Sequence, residues 1–375
     1  MNSFYKNFLI DSPLGTSATN HSVVFAFGKH PGWDDHIQDV GIANDSIALA
    51  KRILYVNGIG GIIDSGDWER VGPEKITFDF DHTFVWLRRD ELLIGLLWPS
   101  TDGKGRSKYP MIIGCHLKKV SIDFAFREVL PHLTMLETKC RSFSQQSEIL
   151  SAVQETQSSL CRLLDEKGKN SDKNQTITNA SVHRRSLLPE IDEIGQAEEG
   201  WTRIFYQIKN QLENYSYQNF KPKRFTDKAI IRAGVLRLPL VDQSFEKSVE
   251  PWLRFLQTQI SVDVPLLFFA SRQTAWCDIV VGEPSKRELI NLKSSLEIFP
   301  YPYQIPYSIN DEFKAKARTV IHALTEGKPT AKTYVFDKSS NRNSRNSAPQ
   351  KKPAKWIFVL GGILLIFAIA IYFAA

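Results

Sequence analysis

Two short runs hold most of the residue types that could do chemistry. The first, Gly28-Lys29-His30-Pro31-Gly32-Trp33-Asp34-Asp35-His36, places two carboxylates, two imidazoles and a lysine directly after an apolar run, Val23–Phe27. His30, Asp34, Asp35 and His36 are donors that suit a divalent metal, so a metal-dependent hydrolase built on this loop is one reading. The other is a tight turn in which Asp34 or Asp35 caps a short helix. Firm metal sites carry a second ligand cluster at fixed spacing, and the sequence has none.

The second run, Trp98 to Pro110, reads WPSTDGKGRSKYP. Its Gly-Lys-Gly core resembles a phosphate loop, but the P-loop pattern G-x-x-x-x-G-K-[ST] before a helix is missing. Ser100, Asp102 and His116 are the types needed for a nucleophilic triad, yet no G-x-S-x-G elbow accompanies them. Sharp loops between strands use glycine and proline for the same positions. No cofactor-binding signature is present, and Trp33, Trp68, Trp86 and Trp98 read as core or interface aromatics.

The elements that must position these runs follow from hydrophobic periodicity. Val23–Gly28 reads as a buried strand, Asp45–Val56 as an amphipathic helix, and Thr83–Arg88 with Leu92–Trp98 as a hairpin. A strand at Met111–Leu117 and helices at Ile122–Cys140 and Gln145–Leu164 complete the first segment. A polar stretch at 165–185 has almost nothing to bury. The second segment predicts a helix at Trp201–Tyr215, a strand at Ala233–Leu238, a helix at Phe245–Gln259 and strands at Leu266–Ala270 and Ala275–Val281. A helix at Ser285–Leu292, a proline-rich piece at Phe299–Tyr307 and a helix at Asp311–Leu324 follow. The expected fold class is α/β (α+β), with two domains at 20–164 and 186–326, each a small mixed or antiparallel sheet packed by helices.

The last twenty residues, Trp356–Ala375, carry no charge. At about 1.5 Å per residue such a run spans the ~30 Å hydrocarbon core of a bilayer, so 356–374 is expected to be a transmembrane helix. Residues 327–355 hold eight basic side chains and one acid, +7 against +6 for the whole chain, so the remainder sums to −1. The pI of about 9.0 therefore belongs to this stem and not to the globular part. A basic juxtamembrane stem predicts cytoplasmic domains with the C-terminus outward, and a near-neutral globular part argues against nucleic-acid binding. The N-terminus lacks a signal-peptide pattern, and four dispersed cysteines fit buried thiols in a reducing compartment.

The two loops together resemble the type VI secretion-associated TagF/ImpM family, which carries G-K-x-P-x-x-G-D-F after a strand and later G-x-L-x-P-S-x-D-x-x-G-R-x-[FY]-P. Gly28, Lys29, Pro31 and Asp35 align with the first signature. Gly95, Leu97, Pro99, Ser100, Asp102, Gly105, Arg106, Tyr109 and Pro110 follow the second. Asp34 stands at a family glycine, His36 at its phenylalanine, and one extra residue separates Arg106 from Tyr109. The resemblance covers about Phe25 to Ile113. It implies an accessory protein at the bacterial inner membrane, binding a cytoplasmic or membrane secretion-system protein such as a forkhead-associated scaffold and restraining apparatus assembly. The binding surface it implies comprises Gly28, Lys29, Pro31, Asp35, Pro99, Ser100, Asp102, Gly105, Arg106, Tyr109 and Pro110, with no catalytic residues. A membrane-anchored scaffold unrelated to secretion is the further alternative. The two loops are expected side by side, with Asp35 or Asp102 paired to Arg106.

Overall fold

The computed structural model describes residues 22–37, 39–76, 79–88, 91–170, 202, 234–240, 243–257, 264–294 and 308–315. All of these lie in one unit of the chain, Met1–Ala331. The helix expected at Trp201–Tyr215 (Thr202 apart), the piece at Phe299–Tyr307, the linker beyond Asn170, the stem and the transmembrane stretch fall outside the described residues.

Seven strands form one antiparallel sheet: β1 (Ser22–Gly28), β2 (His82–Arg88), β3 (Glu91–Pro99), β4 (Pro110–Lys118), β5 (Gly234–Pro239), β6 (Leu266–Ser271) and β7 (Trp276–Val281). Their order is β1-β4-β3-β2-β6-β7-β5. The expectation of a separate sheet in each segment is corrected by this order. β2 pairs with β6 from Leu87↔Leu266 to His82↔Ser271, so strands from both segments share one sheet. Each set alone would leave an apolar edge strand with unpaired N–H and C=O groups, and the β2–β6 ladder satisfies both edges at once.

Strand residues alternate between two buried faces, as the period of two requires. Phe25, Phe27, Phe84, Trp86, Leu93 and Ile112 face helix α1 (Asp45–Ser65). Val24, Ala26, Ile94, Leu96, Trp98 and Ile113 face α3 (Leu130–Ser142) and α4 (Gln146–Asn170). On that second face, β5, β6 and β7 pack beneath α5 (Phe245–Gln257). Covering both faces explains why the strands read as continuous apolar runs and not as clean alternation.

The central helix α1 begins where the Asn44 side chain accepts from the Ile47 amide at 3.0 Å. It runs past the expected Val56, winds as a π-helix over Lys51–Gly60, and ends at Ser65 before Gly66, whose φ of 65° is left-handed. With a mean hydropathy of 1.3, α1 is apolar enough by length and composition to cross a bilayer. Its Ile47, Ala50, Leu54, Ile59 and Ile62 are instead buried on the sheet, which makes it a core helix. A short helix α2 (Asp67–Val71) follows it, and α6 (Lys286–Leu289) comes after β7.

Helix α3 is entered through helical turns at Ile122–Phe124 and Ala125–Val129. Helix α4 continues through Asn170, so the polar stretch at 165–185 starts inside a helix. On the outer edge of β1, Gln157 of α4 accepts from Val24 N at 2.6 Å and donates to Ser22 O at 3.1 Å, standing in for a strand.

Candidate functional site

Both sequence loops leave the same end of the sheet, because β1 and β3 each run antiparallel to β4 and Gly28 lies opposite Met111 while Pro99 lies opposite Pro110. Gly28 has φ +116°, and a Cβ there would collide with the Pro110 carbonyl, so only glycine fits. The first loop closes on itself through Ile37 N→Gly28 O at 2.7 Å and Trp33 N→His30 O at 3.0 Å. The second is tied to it by Gly103 N→Trp33 O at 2.7 Å and by Arg106 Nη2→Asp34 O at 2.8 Å.

Asp102 is the hub. Its buried carboxylate accepts from Lys29 Nζ at 2.5 Å, Arg106 Nε at 2.7 Å, Arg106 N at 2.9 Å and Lys104 N at 3.0 Å. Lys29 is itself only 4 % exposed, which excludes water from the pair. Burial alone would push the Asp102 carboxyl up. The Lys29 ammonium, the Arg106 guanidinium and the two amides outweigh it and hold the group well below the usual carboxylate range. The amides of Lys104, within the Gly-Lys-Gly turn, and of Arg106, just after it, thus do converge on an oxyanion, and that oxyanion is the loop's own.

The outward side of this hub is polar and aromatic. Asp35 lies 3.2 Å from Arg106 Nη2 and 3.6 Å from Lys29 Nζ. His36 stands edge-on to Tyr109 with centroids 5.0 Å apart, and its Nδ1 is 2.8 Å from the Tyr55 hydroxyl. Burial, partly countered by Asp35, lowers the His36 pKa. Tyr109 donates to Asp64 at 2.6 Å, and burial together with that bond pushes its phenol up to about 12. Tyr55 and Asp64 both come from α1, so the core helix supports the two loops from below.

The candidate residues therefore divide. Lys29, Asp35, Asp102, Arg106 and Tyr109 converge, with Gly28 and Pro110 buried at the strand ends. Pro31, Pro99 and Gly105 are exposed on the loop backbones, Ser100 is half-buried, and Gly105 takes a left-handed φ of +76°. The expected partners of Arg106 are both present, since Asp102 and Asp35 each reach it. Spacing did not reveal that Lys29 is the buried counter-charge, nor that Tyr55 and Asp64 contribute, because these contacts join residues far apart in sequence.

Two other arrangements do not form. His30 is turned inward: its Nδ1 accepts from Gly32 N at 3.0 Å and its Nε2 donates to Cys140 O at 2.8 Å. Both nitrogens are committed, so His30 does not join Asp34, Asp35 and His36. Among the described residues no three His, Cys, Asp or Glu side chains are grouped to hold a metal. The Ser100–Asp102–His116 set fails as well. His116 lies near the far end of β4, with its ring against Asn44 at 3.2 Å and Glu91 at 3.4 Å, while Asp102 is spent on Lys29 and Arg106.

Beside the loops, buried Glu137 of α3 accepts from Arg141 at 2.8 Å and from Arg272 at 2.7 Å. Arg272 belongs to the β6–β7 turn, and the Arg141 guanidinium lies 5.2 Å from the Trp98 ring. This network ties the second segment to the first at the sheet end that carries the candidate site.

The chain matches no protein-family model and no curated protein. Among solved structures it is similar to PA0076 from Pseudomonas aeruginosa PAO1, at 15 % identity over 36 % of this chain, with a TM-score of 0.29. The match spans 62 % of that protein, under two thirds of its length.

Proposed function

We propose that this chain is a membrane-anchored accessory protein of a type VI-like secretion system, and that it works by protein–protein interaction through the two-loop surface. The carrying observation is the Lys29–Asp102–Arg106 network, which ties an exposed loop together from within. A rigid loop displayed at the end of a covered sheet loses little entropy when a partner docks, which favours recognition. The motif resemblance supplies the secretion context and the partner class, a cytoplasmic or membrane secretion-system protein such as a forkhead-associated scaffold. By engaging that partner, the chain would restrain apparatus assembly.

In this reading residues 327–355 form a basic stem and 356–374 cross the bacterial inner membrane, with the globular part cytoplasmic and the C-terminus outward. The uncharged run and its flank of eight basic residues support that placement.

The test has two parts. Deleting Lys355–Ala375 is expected to release the protein from membranes into the soluble fraction, and retention after carbonate washing would remove the anchor. A pull-down from detergent-solubilised membranes is expected to recover a secretion-system protein with the wild-type chain and to lose it with Arg106→Gln. Recovery by both chains at equal yield would move the interaction surface elsewhere.

A further inference from the structure

The outward face of the hub carries a feature that a purely structural network would not need. Three donor groups, Lys29 Nζ, Arg106 Nη2 and His36 Nε2, open towards one point, and Asp35 occupies it. Asp35 holds it loosely. Its Oδ1 is 3.2 Å from the guanidinium but 3.6 and 3.7 Å from the ammonium and the imidazole, the last two beyond hydrogen-bonding distance. The Asp35 side chain is 65 % exposed, whereas that of Asp102, on the inner side of the same cations, is wholly enclosed. One carboxylate is therefore built in and the other sits at the mouth.

The donors at the mouth are fixed from behind. Lys29 is held by Asp102, Arg106 by Asp102 and the Asp34 carbonyl, and His36 by the Tyr55 hydroxyl, which leaves its Nε2 directed at Asp35. A preorganised cluster of cationic and imidazole donors over a tyrosine ring matches a planar carboxylate, which can take two N–H donors at once. Lys29 is almost completely buried, and Asp35, 3.6 Å from its ammonium, is the acidic group on its outward side.

We propose that this mouth receives an acidic side chain of the partner protein, and that Asp35 is the placeholder which that side chain displaces. The inference rests on the reading of the two loops as an interaction surface. It adds the chemistry recognised, a carboxylate, and a competition within the chain that sets the affinity.

The test uses the full-length chain in detergent, labelled with nitrogen-15 histidine, with the His36 ring signals identified by their loss in His36→Gln. The probe is acetate, titrated against chloride at equal ionic strength. Acetate is expected to shift the His36 signals saturably. Asp35→Asn, which removes the competitor, is expected to tighten the apparent affinity by about five-fold, the factor an exposed ion pair can withhold. The Asp35→Asn/Arg106→Gln double variant is expected to show no saturable shift. Equal responses to acetate and chloride in Asp35→Asn would overturn the proposal. A second arm measures recovery of the pull-down partner, which Asp35→Asn should raise. If acetate binds but Asp35→Asn leaves recovery unchanged while Arg106→Gln abolishes it, the displaced-carboxylate idea fails and the interaction surface stands. If Arg106→Gln leaves recovery intact, the surface itself fails.

Discussion

Replacing Lys29 by methionine probes the hub most directly. Methionine keeps the length of the stem but removes the ammonium 2.5 Å from Asp102. Removing one partner of a buried ion pair costs about 3–5 kcal/mol, because the remaining charge stays desolvated. Arg106 and two backbone amides still serve the carboxylate in the variant, which places the expected loss for Lys29→Met near the lower end, about 3 kcal/mol. At roughly 2–4 °C per kcal/mol for a domain of this size, the melting temperature should fall by about 6–12 °C. The pH dependence has a definite sign. The folded Asp102 carboxyl is held below its ordinary value, so its contribution is present above the unfolded pKa of about 4 and is lost as pH falls through the folded value. Without Lys29 the folded value rises, and acid unfolding should begin at a higher pH than in the wild type. Thermal denaturation followed by circular dichroism from pH 3 to 8 reads both effects. A melting temperature within 1 °C of wild type across that range, on the order of 0.5 kcal/mol or less, would refute the buried-pair reasoning. The same burial means that Asp102 and Arg106 are not equivalent surface residues: Arg106→Gln should leave the fold nearly intact, whereas Asp102→Ala strands Lys29 in the interior.

Other expectations are independent of the hub charge. Gly28→Ala should destabilise severely, since the added Cβ meets the Pro110 carbonyl, whereas Gly105→Ala, with open space around it, should cost only the left-handed penalty of about 1–2 kcal/mol; comparable melting temperatures for the two would contradict this placement. Glu137→Gln should loosen the β6–β7 turn from α3 and speed hydrogen exchange at Arg272 and Thr274, and unchanged exchange there would mean that the network is not holding the turn. His82 is enclosed, and burial, reinforced by nearby Arg272, lowers its pKa to about 3. Its neutral folded form therefore costs stability progressively as pH falls from about 6.5 towards that value, and His82→Gln should flatten this slope in an acid titration.

Much of this architecture is written in local sequence. Apolar runs bounded by glycine, proline and charge mark β1 to β4 and β5 to β7 within a residue or two, and the period near 3.6 marks the start of α1 and all of α5, because both signals depend only on neighbouring residues. The expected helix ends at Val56, ahead of Asn57, Gly58, Gly60 and Gly61, residues of low intrinsic helix propensity. In the structure Gly58 packs against the Leu289 side chain and the helix passes through as a π segment. The two loops are also legible, since their glycines and prolines sit where sharp turns leave strands.

Which strand pairs with which was decided only in three dimensions. One buried apolar strand resembles another, and the β2–β6 ladder depends on complementary edges about 180 residues apart in sequence. Packing then uses details invisible to periodicity: Phe25 lies across Gly114 and Phe84 across Gly95, each ring filling the space where its glycine partner has no side chain. The candidate site follows the same division. Sequence set the types of Lys29, Asp35, Asp102 and Arg106. Their roles came from burial, which encloses Asp102 with Lys29 and leaves Asp35 in solvent, and burial is a property of how the sheet and α1 surround the loops, not of the residues themselves.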